Sequence, residues 1–268
     1  MATATLDDIS IAYDTQGSGP KTLLLVHGHP FNRSMWHPQT LFAEKTGWRV
    51  VAPDLRGYGD STVTRGTTPL DLFAADLAGL LDHLHIERVA IGGLSMGGQI
   101  AMAFCRDYPE RVCGLLLAAT FPQAESEEGR KARNAMADRL LREGMGNYVQ
   151  EALPRMLAPG SMTNMPAVAA LVEAMMRKTD PAGAAAALRG RADRPDYQET
   201  LATLKVPALV VVGDEDTFTT RQDAERMRDL LEGSELLWLN GIGHMPNLEA
   251  SEEFNAGLGR LLRRIDPQ

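Results

Sequence analysis

Ser95, which lies between two glycines in the segment 93–97, is the residue of this chain best suited to nucleophilic chemistry. A serine hydroxyl is a weak nucleophile unless it is held exposed and lies beside a base. The apolar run 88–91 before it is typical of a buried strand, and the run 99–105 after it favours a helix. A tight turn from strand to helix would expose the hydroxyl beside free helix N–H groups. The pattern therefore predicts a nucleophile elbow with Ser95 as the catalytic nucleophile.

A late histidine and a cluster of carboxylates complete a possible catalytic set, because a serine nucleophile needs a base and the base needs an orienting acid. Among the six histidines, His244 lies in a loop directly after the last predicted strand. Loops at the carboxyl ends of strands carry the chemistry of doubly wound sheets. Another such loop, after the strand ending at Val212, carries Asp214, Glu215 and Asp216. We predict His244 as the base and Asp216 as the acid, with Asp214 as the main alternative.

Two backbone N–H groups are candidates for an oxyanion hole, which stabilises the negative oxygen of a tetrahedral intermediate. One belongs to Met96, the residue after the nucleophile. The other belongs to His29, because Gly28 follows the buried-strand pattern 22–26 and allows the chain to turn sharply there. This role uses the backbone of His29 and not its imidazole.

Strand-like and helix-like segments alternate along much of the chain, which is typical of a mostly parallel, doubly wound sheet. We predict an early edge strand at residues 9–13. Further strands are predicted at 22–26, 49–52, 88–91, 112–118, 207–212 and 235–239, and helices at 70–84, 99–108 and 252–265.

The alternation stops between residues 119 and 201, where no strand pattern is found. Glycines and prolines punctuate this stretch, and they predict three or four short helices that form a lid. We therefore predict an α/β core made of residues 1–121 and 203–268, with a helical cap at residues 122–202 inserted between two strands.

Charge and cysteine content restrict the classes of function. The chain of 268 residues has 27 lysines and arginines against 35 aspartates and glutamates, a formal net charge of −8. Scattered negative charge disfavours nucleic acid and membrane surfaces as partners. The two cysteines provide neither a disulfide framework nor metal-ligand spacing, and residues 1–8 lack a signal-peptide pattern, so we expect a cytoplasmic protein. The oligomeric state is open.

Five segments match the motifs of a known superfamily. They are residues 27–30, 54–61, 93–98, 213–216 and 243–244. On these motifs the chain resembles the α/β-hydrolase superfamily over nearly its whole length. Within that superfamily it is most similar to bacterial arylesterases, cofactor-free haloperoxidases (perhydrolases) and 3-oxoadipate enol-lactonases.

The resemblance implies an α/β-hydrolase fold with an inserted helical cap. It also implies a serine esterase or lactonase that cleaves small carboxylic esters or lactones without a metal or organic cofactor. In the superfamily the acid is usually the fourth residue of a Gly-x-x-Asp turn, which favours Asp216. Epoxide hydrolases and haloalkane dehalogenases need aspartate where this chain has Ser95, so the resemblance does not extend to their chemistry.

Other functions fit the same residues. Activity like that of the 3-oxoadipate enol-lactonases, perhydrolysis or haloperoxidase activity, and C–C bond hydrolysis would all use the same serine, aspartate and histidine. Some relatives act as slow-turnover ligand receptors, which a turnover rate would distinguish from enzymes. The methionines of the predicted lid fit either an adaptable apolar pocket or simple helix packing. Its arginines could bind a substrate carboxylate if they point inward.

Overall fold

The computed structural model describes residues 1–7 and 9–265. Its centre is an eight-stranded sheet in the order β1-β2-β4-β3-β5-β6-β7-β8. Strand β2 pairs antiparallel with both β1 and β4, and all other neighbouring strands pair parallel. The predicted mostly parallel, doubly wound architecture is confirmed. The strands are β1 Ala2–Leu6, β2 Ile9–Gln16, β3 Thr22–Val26, β4 Arg49–Pro53, β5 Val89–Leu94, β6 Val112–Ala118, β7 Ala208–Gly213 and β8 Glu235–Leu239.

Helices cover both faces of the sheet. Successive side chains of a strand point to opposite faces. In β3, Leu24 and Val26 therefore pack in one apolar core, while Leu23 and Leu25 pack in the other. The helices are α1 His37–Lys45, α2 Leu70–His83, α3 Met96–Asp107, α4 Glu127–Glu143, α5 Met145–Met156, α6 Pro159–Asn164, α7 Pro166–Lys178, α8 Pro181–Ala192, α9 Gln198–Thr203, α10 Arg221–Leu230, α11 Pro246–Glu249 and α12 Ser251–Ile265.

The sequence predicted that the strand at residues 9–13 lies at the edge of the sheet, and this prediction is wrong. The strand lies second, because Ala2–Leu6 forms an additional strand that pairs antiparallel with it. The additional strand buries only a small side chain, Ala4, between exposed neighbours. A strand is predicted from alternating apolar and polar residues, and a single buried alanine is too little to show that alternation.

Between β6 and β7 the described chain forms six helices, α4 to α9, and not the three or four that the sequence predicted. Each additional break has a local cause. Helix α4 ends at Gly144, whose φ is 70°, and α6, α7 and α8 each begin at a proline. Proline fits the first turn of a helix, where its missing N–H would have no partner, but it interrupts a helix elsewhere.

The register of the parallel strands brings their carboxyl ends to one edge of the sheet. Leu94 of β5 is opposite Ala118 of β6, and Ala118 is opposite Val211 of β7. The chain segments that follow β5, β6, β7 and β8 therefore leave the sheet side by side, and these segments carry the predicted site residues. No helix in the described part of the chain is long and apolar enough to cross a bilayer.

Candidate active site

Ser95 occupies the single position between the end of β5 and the start of α3. Its φ of 56° and ψ of −115° are unusual for a residue with a side chain. A Cβ built on Gly97 would overlap the carbonyl oxygen of Val26, so the turn requires glycine there. Ser95 is partly exposed and lines a cavity of about 310 Å³. The predicted strand–turn–helix context is present.

The backbone of the turn is held by the neighbouring strand and the residues after it. Ser95 N donates a hydrogen bond of 2.9 Å to the carbonyl of Ala118, and Thr120 Oγ1 donates one of 2.8 Å to the carbonyl of Ser95. Gln99 N, one helical turn later, donates to the same Ser95 carbonyl at 3.1 Å. These bonds fix the strained residue from both the strand side and the helix side.

His244 and Asp216 form a buried pair beside this cavity. His244 Nδ1 lies 2.9 Å from Asp216 Oδ2, and the imidazole also lines the cavity with Ser95. Asp216 Oδ1 accepts a hydrogen bond of 2.8 Å from Phe218 N. Burial raises the pKa of Asp216, but His244 and the N–H groups of Phe218 and Thr219 lower it by more. The net pKa is below 3.8, so the carboxyl is ionised beside the ring at neutral pH.

Asp214, the alternative acid, binds backbone and not the imidazole. Its Oδ1 accepts hydrogen bonds from Gly241 N at 2.6 Å and from Ile242 N at 3.4 Å. Glu215 is exposed, and its N–H donates to the carbonyl of Ile242. The structure therefore brings Asp216 to His244, whereas Asp214 fastens the loop that carries the histidine.

Glu249, which the sequence analysis did not single out, holds the same loop from inside the protein. Its side chain is buried and accepts three backbone hydrogen bonds: Gly243 N at 3.1 Å, Met245 N at 3.0 Å and Ala158 N at 2.8 Å. Two of these donors flank His244, and the third lies between α5 and α6. A glutamate inside the apolar segment 245–250 was the sequence signal for this role.

The first candidate oxyanion donor, Met96, begins α3, where an N–H has no acceptor within the helix. The second, His29, follows Gly28 in a loop that touches the turn. A Cβ built on Gly28 would lie 3.4 Å from the Cβ of Ser95. The loop between β3 and α1 is therefore packed directly against the serine.

The His29 imidazole is also in the cavity wall. Its Nδ1 lies 2.8 Å from the hydroxyl of Tyr58, and its buried Nε2 has no hydrogen-bond partner among the described residues. Burial, together with the charges of Arg191 and Arg133, lowers the pKa of His29 well below 6.5. The ring is therefore neutral at neutral pH.

The other wall of the cavity is formed by the helices between β6 and β7. It contains both charged and apolar side chains, which sequence periodicity did not identify. The residues are Arg133 of α4, Tyr148 and Met156 of α5, and Leu188 and Arg191 of α8. Phe218, from the loop after β7, covers the imidazole with a centroid separation of 4.7 Å from His244, and Arg155 lies over its ring at 4.3 Å.

Comparison with known proteins agrees with this fold. The model of the alpha/beta hydrolase family matches residues 23–256. The chain belongs to the α/β-hydrolase family and has its fold, as the sequence predicted.

Individual relatives include esterases and lactonases. A malate-bound thermophilic esterase from Thermogutta terrifontis superposes with a TM-score of 0.95, at 35% identity over 99% of both chains. The 3-oxoadipate enol-lactonase 2 of Acinetobacter baylyi is 26% identical over 98% of this chain and 97% of its own length. A 2-hydroxy-6-oxononadienedioate/2-hydroxy-6-oxononatrienedioate hydrolase of Paraburkholderia phymatum is 31% identical over 92% of this chain and 89% of its own. The chain is therefore similar to hydrolases of several substrate classes.

Proposed function

We propose that this chain is a serine hydrolase that cleaves carboxylic esters or lactones through an acyl-enzyme on Ser95. One observation carries the proposal: the 2.9 Å pair of His244 and Asp216 opens into the same cavity as Ser95, which sits at a strained strand–helix turn. A nucleophile, a base and an orienting acid at one cavity are the components that acyl transfer requires.

In the proposed reaction, Ser95 Oγ attacks the carbonyl carbon while His244 Nε2 accepts its proton. The tetrahedral intermediate then collapses, the bond to the leaving oxygen breaks, and His244 returns the proton to that oxygen. Water attacks the acyl-enzyme in the same way and releases the acid. Throughout, ionised Asp216 accepts the hydrogen bond from Nδ1 and stabilises the imidazolium. The three side chains supply the nucleophile, the base and the orienting acid, so the proposed reaction needs no metal or organic cofactor.

The N–H groups of Met96 and His29 are the proposed oxyanion donors. Both belong to backbone that lies beside the serine, one at the start of α3 and one in the loop packed against Ser95. Removal of one such donor costs on the order of 3 kcal/mol of transition-state stabilisation in other serine hydrolases. Because both donors are backbone groups, they are positioned before the substrate binds.

The similarity to the 2-hydroxy-6-oxononadienedioate/2-hydroxy-6-oxononatrienedioate hydrolases favours a second candidate, C–C bond hydrolysis. A cavity of about 310 Å³ fits small substrates of either kind. A hydrolysis screen with simple esters, lactones including an enol-lactone, and 2-hydroxy-6-oxo dienoates separates the candidates. A kcat/KM that is highest for the dienoates by tenfold or more would replace ester hydrolysis as the main activity.

The variant Ser95→Ala tests the proposed nucleophile. We expect it to lower kcat for p-nitrophenyl acetate by roughly a millionfold, as in other serine triads, and to prevent the transfer of one acetyl group to the protein, as measured by mass spectrometry. Ser18→Ala, at an exposed turn position, is the matched control and should keep full activity. Activity of Ser95→Ala within tenfold of the unmodified protein would contradict the proposal.

A further inference from the structure

Three arginines, Arg133, Arg191 and Arg194, lie close together near the cavity, and two of them pair with the same carboxylate. Arg133 and Arg194 both form ion pairs with Glu125, the second at 3.3 Å. Arg191, the third, has no ion pair with any described carboxylate. The cluster therefore carries more positive charge than its protein partners neutralise. Since unpaired buried charge is costly, such a cluster calls for an anion.

Arg191 is the member of this cluster that is buried, lines the cavity and has no carboxylate partner among the described residues. Its exposed fraction is 7%, and it lines the cavity together with Ser95. Its Nε donates a hydrogen bond of 3.1 Å to Gln99 Oε1. Within residues 1–7 and 9–265 this is the one hydrogen bond of the Arg191 side chain, so its two Nη groups have no protein acceptor there.

Gln99 fixes the place of this guanidinium relative to the reaction. It belongs to α3 one turn after the nucleophile, and its N–H is bonded to the Ser95 carbonyl. The side chain of Gln99 then accepts from Arg191. Through Gln99, the guanidinium of Arg191 is thus tied to the helix that begins beside Ser95, and both residues line the same cavity.

The electrostatic surroundings of Arg191 disfavour its own charge. Burial, followed by the guanidiniums of Arg133 and Arg194, lowers the pKa of Arg191 well below its ordinary value. The nearby His29 has a lowered pKa and is neutral, so the arginines have no negative charge from it. Arginine presents two parallel N–H donors to a carboxylate, and this pairing is among the strongest in proteins. A bound carboxylate would therefore satisfy both the free donors and the excess charge.

We propose that Arg191, with Arg133 beside it, binds a free carboxylate of the substrate, so that this hydrolase prefers small esters or lactones that carry a negative charge. The inference rests on the proposed function for the reaction at Ser95, and it adds the substrate class. The carboxylate could belong to the acyl part or to the alcohol part of the ester, and the experiment has one arm for each.

The experiment measures kcat/KM by proton release for two matched pairs of substrates. Monoethyl adipate and its neutral carboxamide analogue test the acyl part. Sodium 3-acetoxypropanoate and 3-acetoxypropanamide test the alcohol part. In at least one pair we expect the anionic ester to be preferred by about tenfold or more. Equal kcat/KM values within both pairs would overturn the inference.

Variants of Arg191 test whether this residue causes the preference for anionic esters. Arg191→Gln should lower the ratio of the anionic to the neutral kcat/KM by about 10- to 100-fold, the range expected for hydrogen bonds to a charged group. Arg191→Lys should restore part of it, because the charge is kept and the fork is lost. Arg189→Gln is the matched control in the same helix, since Arg189 pairs with Asp138 at the surface, and its ratio should not change. An unchanged ratio in Arg191→Gln would overturn the assignment to this residue.

Two measurements keep the outcomes distinct. If Arg191→Gln does not fold, inhibition of the unmodified protein by adipate and by neutral adipamide decides: a Ki at least about tenfold lower for adipate supports the carboxylate site, and equal values overturn it. If p-nitrophenyl acetate is hydrolysed through Ser95 while neither pair shows a preference, the proposed function stands and this inference fails. If no ester is hydrolysed but adipate binds in calorimetry, the proposed function fails and the anion site stands.

Discussion

The two walls of the cavity differ in what holds their functional groups. On the wall formed by the strand ends, Ser95, Asp216 and His244 are fixed by backbone: a strained turn, a hydrogen-bonded acid loop and a loop held through Gly243 N and Met245 N. On the helical wall, residues such as Arg191 reach the cavity through long side chains from α4, α5 and α8.

Under the proposed function, this difference separates the groups that react from the groups that select the substrate. Groups that are fixed by the backbone can be placed to within a few tenths of an ångström, which proton transfer and oxyanion binding require. Side chains that come from inserted helices can be exchanged without a change in the sheet. The strand-end wall is therefore suited to a constant reaction, and the helical wall to a variable substrate.

Replacement of the acid beside His244 should cause the greatest loss of activity and distinguishes the two aspartates of the strand-end wall. Asp216→Asn should lower kcat for p-nitrophenyl acetate by about 10⁴-fold, because the amide cannot hold the required imidazole tautomer. Asp214→Asn is the matched control: its side-chain oxygen can still accept from Gly241 N, so kcat should fall by less than about tenfold. Steady-state kinetics of both variants check this. The reverse order of effects would assign the acid role to Asp214.

An intermediate effect tests whether the two walls are independent. Glu249→Gln replaces a carboxylate that binds Ala158 N on the helical side and two N–H groups beside His244. Because the amide offers one acceptor oxygen for three donors, the free energy of unfolding should fall by about 3 kcal/mol. In addition, kcat should fall by about 10-fold or more with little change in KM, since the imidazole shifts.

The control for this variant is Glu253→Gln, whose side chain is exposed in α12. Urea unfolding and steady-state kinetics on both variants provide the comparison. A Glu249→Gln protein that loses stability but retains kcat would show that the loop keeps its position without this carboxylate, and the two walls would then be independent.

His29 should make a modest contribution to the pH dependence of stability. The pKa of His29 is well below 6.5 in the folded protein because of burial and of Arg191 and Arg133, whereas the unfolded chain titrates near 6.5. As the pH falls below 6.5, the unfolded state binds a proton that the folded state does not. The group therefore removes stability at about 1.4 kcal/mol per pH unit, down to its folded pKa.

Unfolding titrations at several pH values measure this slope. His29→Gln should reduce the slope below pH 6.5, whereas His83→Gln, which changes an exposed histidine at the end of α2, should leave it unchanged. An equal slope in His29→Gln would mean that His29 is protonated in the folded protein.

The sequence predicted most of the strand-end wall because its features depend on backbone. The elbow needs small residues at fixed positions around Ser95, and His244 follows a strand directly, so both are visible as local patterns. No local pattern shows which aspartate of the loop after β7 faces the imidazole. The geometry of the turn decides between Asp214 and Asp216. The catalytic roles themselves stay predictions.

The helical wall was not predictable in the same way. In α8 nearly every residue from Gly183 to Ala192 is buried, so there is no apolar stripe to indicate which side faces the cavity. Arg191 also breaks the expectation that charged side chains lie at the surface. The strand Ala2–Leu6 was missed for a related reason, since one buried alanine carries its pattern.

The stretch between β6 and β7 is one uninterrupted crossover between neighbouring strands. Recombination with another member of the family would therefore need only two junctions, and every pair of strands would keep its register. To keep the loop of His244 in place, a grafted crossover must provide a donor where Ala158 N now meets Glu249. To keep the proposed selectivity, it must also provide a cation with free donors where Arg191 now meets Gln99. Chimaeras that meet the first condition alone should inherit the turnover machinery of this chain and the selectivity of the donor.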